Sequence, residues 1–541
     1  MFYPVGRSRA CHVEFRSWKG IATVTTYEGT MQNGAKRRHK DVVLAASSAL
    51  ALALSVEMSV AADPEPKTPI RHIVVIYDEN ISFDHYFGTY PNAANLPGET
   101  PFHAAPGTPT VNGLSGALIT RNPNSTRPFR LDRSQPVTCD MDHAYSAEQK
   151  AYNRGLLNRF VEATTAYAEQ QNNCDPKLVM GHYDGNTVTA LWNYAQHFAL
   201  SDNTFGTMFG PSTPGALNLF AAQTAGADQR DIPHETVGDN VIFDEEPLYD
   251  DCATKPVMTI SNIRTIGDLL NEAGLTWGWF QGGYRPTVRA ADNGGKAQCN
   301  ARRPNAAGRD ILDYSPHHNP VAYYVQFKNP HHLPPSSPVL TGHNDQAMHQ
   351  YDLEDFWTAV DNNAMPAVSF LKPPEAQDGH AAYSGPLDEQ RFLVETINRL
   401  QRSPQWKETA VIIAYDDSDG WYDHVMPPIV RTSESAYDFL TSDGHCGNAV
   451  SGVSPGRCGY GPRLPLLVIS PYARRNFVDH TLADQTSIAR FIEDNWGLPR
   501  LGGEAMDQWA GSLAGMFDFN TPARTDLLIL DPATGMPTGG R

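Results

Sequence analysis

An α/β fold with a mostly parallel central sheet is predicted by three features: near-continuous apolar runs, helical patterns between them, and acids placed directly after two of the runs. RHIVVIY (71–77), AVSFLK (367–372), TAVIIAY (409–415) and LPLLVIS (464–470) are unbroken enough to be parallel strands buried on both faces. TIGDLLNEAG (265–274) is a helix pattern ending on glycine, followed by the apolar LTWGWF. DEQRFLVETINRLQR (388–402) sets Phe392, Leu393, Thr396, Ile397 and Leu400 on one helical face. DQTSIARFIEDNWG (484–497) opens on an N-cap candidate and closes on glycine. In folds of this order the functional loops gather at the carboxyl ends of the strands.

The chemistry follows that rule. IVVIY runs into Asp78-Glu79-Asn80, and VIIAY runs into Asp416-Asp417-Ser418-Asp419-Gly420. If both strands are parallel in one sheet, the two groups of oxygens converge on one edge. Glu79, Asn80, Asp416 and Asp417 would then repel one another, raising carboxylate pKa values, unless a cation neutralises them. One divalent metal ion is the simplest remedy, and the all-oxygen set favours Ca²⁺, Mg²⁺ or Mn²⁺ over zinc. The plainer reading is that Asp417 and Asp419 cap a turn before Gly420 and that Asn80-Ile81-Ser82 starts a helix.

FGTMFGPSTPGALNLFAAQTAG (205–226) places Ser212 where a turn enters a helix with proline just inside it. There the helix dipole and free N–H groups favour a bound phosphate and a serine alkoxide. The alternative is a serine that only caps its helix. Of the 19 histidines, His143 in TCDMDHAY, His317 and His318 in DYSPHHNPVAYY, and His380 in EAQDGHAAYS lie in loops beside Asp, Pro or Gly. A lone loop histidine is usually polar surface, but several beside strand-end acids point to an anionic substrate. His331-His332, in KNPHHLPPSSP, reads as plain loop.

With 40% hydrophobic and 19% charged residues in 541, the chain is globular and has room for a large core. A formal charge of −18 argues against a nucleic-acid partner. Residues 1–62 differ from the rest. From Met31 a basic stretch, an apolar run of 15 residues and Val60-Ala61-Ala62 form a secretory signal pattern with cleavage near Ala62. The run is too short for a comfortable membrane span, so no stable membrane anchor is expected. Residues 1–30 read as an upstream extension, 31–62 as the signal, and 63–541 as a single catalytic domain in the periplasm or outside the cell. Beyond the extension six cysteines remain, and sequential pairing is expected, with Cys446 to Cys458 the safest pair.

Taken in order, E-N-I-S-F-D-H-Y-F-G-T-Y-P (79–91), D-H (142–143), G-P-S (210–212), P-H-H-N-P (316–320), D-G-H (378–380) and Y-D-D-S-D-G-W-Y-D-H-V (415–425) resemble the bacterial phosphoesterase family. That family includes secreted acid phosphatases and bacterial phospholipases C, and the resemblance covers roughly residues 70–500. It implies an alkaline-phosphatase-like α/β/α sandwich. It also implies that Glu79, Asn80, Asp416 and Asp417 bind the metal, with Ser212 as both nucleophile and ligand. His143, His318 and His380 would be catalytic around the phosphoryl group, with Asn80 and His317 touching substrate. Ile81 departs from the family pattern, which has Arg after Glu-Asn.

Phospholipases C of the family often carry further C-terminal β-rich modules, and after ARFIEDNWGLPRLGG this sequence runs only to Arg541. The expectation is therefore a secreted, metal-dependent acid phosphatase that hydrolyses phosphate monoesters through a phosphoserine. The alternative is a phospholipase C acting on phosphatidylcholine-type phosphodiesters. Substrates would be phosphorylated small molecules or phospholipid headgroups. Protonation of the leaving alkoxide by His318 or His380 would put the optimum on the acid side, since histidine titrates near pH ~6.5.

Overall fold

The computed structural model describes residues 63–165, 174–448 and 455–539. The extension and signal readings of residues 1–62 lie outside the described residues. In chain order the elements that build the site are β1 (His72–Asp78), α1 (Phe83–Phe87), α2 (Tyr145–Tyr152), β2 (Ala199–Phe205), α3 (Ser212–Ala221) and α4 (Ile266–Ala273). They continue as β3 (Trp277–Gln281), β4 (Gln350–Asp352), β5 (Val368–Lys372), α5 (Pro386–Arg402), β6 (Thr409–Tyr415), β7 (Arg463–Ile469), β8 (Phe477–Asp479) and α6 (Thr486–Trp496).

One nine-stranded sheet runs β4-β3-β5-β1-β6-β7-β2-β8, with Ala483–Asp484 pairing beside β2. Ile73, Val74, Val75 and Ile76 make β1 a strand because β-branched side chains pack well on a pleated surface, and all four are buried. β6 is buried along its whole length, as a strand covered on both faces must be. The sheet is thus the middle layer of an α/β sandwich.

β1 and β6 pair in parallel, with Tyr77 opposite Ala414 and Asp78 opposite Tyr415. Their following acids therefore leave the same edge. β5 lies parallel on the other side of β1, Ile76 opposite Leu371, and delivers Lys372 to that edge as well. β7 departs from expectation. It runs antiparallel to β6, Val411 facing Ile469 and Ala414 facing Leu466. An apolar run signals burial on both faces but carries no information about direction.

α4 begins and ends where its sequence directs, whereas α6 starts after Gln485 with no side-chain cap. Thr265 and Asp268 form a capping box ahead of α4, and Gly274 closes it in the left-handed region. Cys139–Cys174, Cys252–Cys299 and Cys446–Cys458 are disulfides, so the pairing is sequential. No helix among the described residues is long and apolar enough to cross a membrane.

α5 carries a buried carboxyl that makes stability pH-dependent. Glu389 is fully enclosed, the Tyr415 hydroxyl donates to its Oε1, and burial pushes its pKa up to about 8. The unfolded chain ionises this group near pH 4.5 while the fold keeps it protonated. Stability present at low pH is therefore lost as pH rises towards about 8. Glu389→Gln should flatten that loss, gaining up to roughly 4 kcal/mol over the parent at pH 8 and almost nothing at pH 4. Thermal unfolding of both proteins at the two pH values checks it, and parallel pH profiles would refute it.

Candidate active site

Backbone bonds across the sheet edge set the acids in place. The Asp416 N–H donates to the Asp78 carbonyl at 3.2 Å, and the Glu79 N–H donates to the Asp378 carbonyl at 2.9 Å. The Asn80 N–H donates to Asp416 Oδ1 at 3.0 Å. Asn80 adopts a left-handed φ of 57°, which asparagine tolerates better than most residues. Ser82 then caps α1 by accepting from the His85 N–H at 3.3 Å, so helix start and acid placement coexist in one stretch.

Ser212 is the first residue of α3 and makes no capping bond. Its Oγ instead lies 3.0 Å from Glu79 Oε2, 3.2 Å from Asp417 Oδ2 and 3.4 Å from Asn80 Oδ1. The helix N-terminus is less open to an anion than expected, because the Thr213 N–H donates to Asp244 Oδ1 at 2.8 Å. α3 approaches the acid loop so closely that a Cβ on Gly215 would sit 2.2 Å from the Asp416 carbonyl oxygen. Only glycine fits there.

The histidines surround this point. His143 has Nδ1 on the Met141 carbonyl at 2.7 Å, leaving Nε2 3.4 Å from the Asn80 amide nitrogen. His318 Nδ1 lies 3.3 Å from Glu79 Oε1, and the His380 ring packs 5.9 Å from that of His143. His317 stands edge-on to His318 at 4.3 Å and is only partly buried. Burial alone would lower His143, but Asp417, Asp419 and Asp140 outweigh it and hold the imidazole well above its ordinary value. Burial holds His318 well below that value, assisted by His317 and His380, and lowers His380 too. The two histidines expected as proton donors are thus the two whose charged form burial disfavours.

The donor set suits a divalent cation. Turned over, the Asn80 amide would donate to Glu79 Oε2 at 2.7 Å and Asp416 Oδ1 at 3.1 Å and accept from His380 Nε2 at 3.0 Å. In either orientation the Asn80 side chain lies among the oxygens of Glu79, Asp416 and Ser212. Burial raises Asp417 and Asp419 well above the carboxylate range, the electrostatic strain that a cation relieves. Two tight groupings, Glu79–His318–Asp378 and Asp140–His143–His380–Asp419, have ligand atoms within 4.8 Å of one another. These bring imidazole nitrogens within reach beside the oxygen set.

Several residues here escaped the sequence reading. Glu148 on α2 accepts the Gly210 N–H at 2.9 Å and the Ser418 hydroxyl at 2.5 Å, tying the turn before Ser212 to the acid loop. Lys372 contacts Glu79 Oε1. Asp84 and Asp423 share the buried Arg463. His332 is no plain loop residue: it is buried, 2.8 Å from Asp250 Oδ1 and stacked on Tyr284.

The model of the Phosphoesterase family matches residues 70–499, which contain every side chain just described. The chain belongs to the phosphoesterase family. Among curated proteins it is 26% identical to "Phospholipase C B" of Mycobacterium tuberculosis, over 88% of this chain and 83% of the relative. It is 23% identical to "Non-hemolytic phospholipase C" of Pseudomonas aeruginosa, over 84% of this chain but 58% of the relative. "Non-specific phospholipase C6" of Arabidopsis thaliana is 22% identical over 85% of this chain and 74% of that one. Since the mycobacterial relative is spanned almost throughout, a short chain does not separate phosphatases from phospholipases C. Among solved structures, murine ectonucleotide pyrophosphatase / phosphodiesterase 5 is 12% identical, with a TM-score of 0.30 over 61% of this chain and 95% of that one. Family membership makes the chain a hydrolase of phosphoric ester bonds.

Proposed function

We propose that Ser212 is the nucleophile of this phosphoesterase and that phosphodiesters of the phospholipid-headgroup class are its substrates ahead of phosphate monoesters. The observation that carries the first part is a helix-terminal serine whose Oγ serves no cap and lies 3.0–3.4 Å from Glu79, Asn80 and Asp417. The order of substrates rests on the phospholipase C names of relatives matched over most of their length, and on charge. Lys372 is already engaged by Glu79, and of the three catalytic histidines only His143 is held in its charged form. That set suits the single charge of a diester better than the double charge of a monoester. Three disulfides support a place outside the cytoplasm.

Glu79, Asn80, Asp416 and Asp417 would hold the divalent ion, which when bound favours ionisation of a nearby hydroxyl and offsets charge on phosphoryl oxygens. Ser212 Oγ attacks phosphorus as its proton passes to Glu79 or Asp417, and the bond to the leaving alkoxide breaks. His143 is the histidine to protonate that alkoxide, because Asp417, Asp419 and Asp140 hold its imidazole well above its ordinary value. His318, His380 and His317 position the phosphoryl group. Water then attacks phosphorus and gives its proton to His143, the Oγ–P bond breaks, and Oγ regains its proton from Glu79 or Asp417.

Nitrophenyl phosphorylcholine should be hydrolysed at least about tenfold faster, in kcat/KM, than nitrophenyl phosphate. Assaying both with the full chain, alongside phosphatidylcholine vesicles, decides the matter. A tenfold preference for the monoester would restore the acid phosphatase reading.

A further inference from the structure

We infer that Lys372 is a resident cation of the candidate metal centre, standing where a second divalent ion would otherwise bind, so that the centre holds one ion per chain. The inference rests on the metal centre proposed above but not on the choice of substrate.

Two buried acids lie against this lysine. Lys372 is 1% exposed at the end of β5; its Nζ contacts Glu79 Oε1 and lies 3.5 Å from Asp416 Oδ2. Asp78 and Asp378 are wholly buried, and both oxygens of Asp78 and Oδ2 of Asp378 lack a hydrogen-bond partner among the described residues. Glu79 divides its carboxylate between two sides. Oε1 faces Lys372 and, at 3.3 Å, His318 Nδ1; Oε2 faces Ser212 Oγ at 3.0 Å.

That division separates two cation positions. On the Ser212 side the oxygens of Glu79, Asn80 and Asp417 converge. On the other side Glu79, His318 and Asp378 form a grouping tight enough for an ion, with ligand atoms within 4.8 Å. The Lys372 ammonium already contacts Glu79 Oε1, the oxygen that faces His318. A like charge there repels a divalent ion, while an uncharged side chain would leave the three ligands open to one.

Apo protein titrated with Mn²⁺ and counted by elemental analysis after gel filtration tests this. About one ion per chain is expected for the parent, about two for Lys372→Met and about one for Lys372→Arg. Metal-free Lys372→Met should also melt lower than the parent and regain the difference when Mn²⁺ is added, a stability readout independent of turnover. Two ions on the parent, or a folded Lys372→Met that still binds one with unchanged affinity, overturns the inference. If Lys372→Met does not fold even with Mn²⁺, the parent count and the Lys372→Arg count decide. No ion on a fully active parent would overturn the metal centre itself, a separate result.

Discussion

Ser212→Ala is expected to lower turnover by about 10⁴-fold or more while leaving the fold intact. The large loss follows from removing the one atom placed to bond phosphorus. Any residual rate would reflect substrate held among the remaining groups for direct attack by water. The small structural effect follows from the serine's surroundings. Ser212 makes no cap, the bond from the Thr213 N–H to Asp244 remains, and alanine is a better helix former than serine. Losing Oγ leaves Glu79 Oε2 and Asp417 Oδ2 facing one another without the hydroxyl, a change of about 1 kcal/mol. Steady-state rates, circular dichroism and acid-quenched mass spectrometry of the Ser212 peptide check this together. The parent should show a phosphorylated peptide and the variant none. Full activity in a folded variant would remove Ser212 from the nucleophile's place.

The strands that carry the chemistry were legible because burial and chemistry coincide in them. β1 and β6 are apolar runs that end abruptly in acids, and their parallel pairing brings Glu79, Asn80, Asp416 and Asp417 to one edge. β2 was not legible: ALSDNTF interrupts its apolar residues with Ser201, Asp202 and Asn203, poor strand formers. Tertiary partners satisfy these instead; Asp202, for example, accepts from the Asn112 N–H at 2.8 Å. Lys372 escaped because a lysine after four strand residues reads as the polar end of a strand, and nothing local says that it stays buried. Glu148 sits in YSAEQKAY, where a glutamate four residues into a helix reads as solvated surface. Its two acceptor bonds come from segments 62 and 270 residues away. Local pattern thus revealed which residues have metal-binding chemistry, while the charges that balance them arrive through long-range contacts.

Arg463 shows the same limit with the largest expected effect on folding. Its guanidinium is fully buried at the start of β7, donating through Nη2 to Asp84 Oδ1 at 3.1 Å and through Nε and Nη2 to Asp423 Oδ2 at 3.1 and 3.0 Å. Nη1 donates to the Asn112 and Asp202 carbonyls at 2.7 and 3.0 Å, and the plane lies 4.3 Å over the Phe83 ring. Asp84 Oδ2 in turn accepts the His424 N–H at 2.9 Å and faces its Nδ1 at 2.6 Å. One arginine therefore ties α1, just after Glu79 and Asn80, to the far end of the loop that carries Asp416 and Asp417. Arg463→Met keeps most of the volume but leaves two buried carboxylates with a single histidine between them, at a cost of about 3–5 kcal/mol. Arg463→Lys keeps the charge but loses the planar fork, so it should cost less, about 1–3 kcal/mol. If the loss comes from uncompensated charge, adding Asp84→Asn and Asp423→Asn to Arg463→Met should recover part of it. Denaturant unfolding of the four proteins measures each step. A loss under about 1 kcal/mol for Arg463→Met, or no recovery in the triple variant, would mean that the network does not brace the two halves of the site through charge.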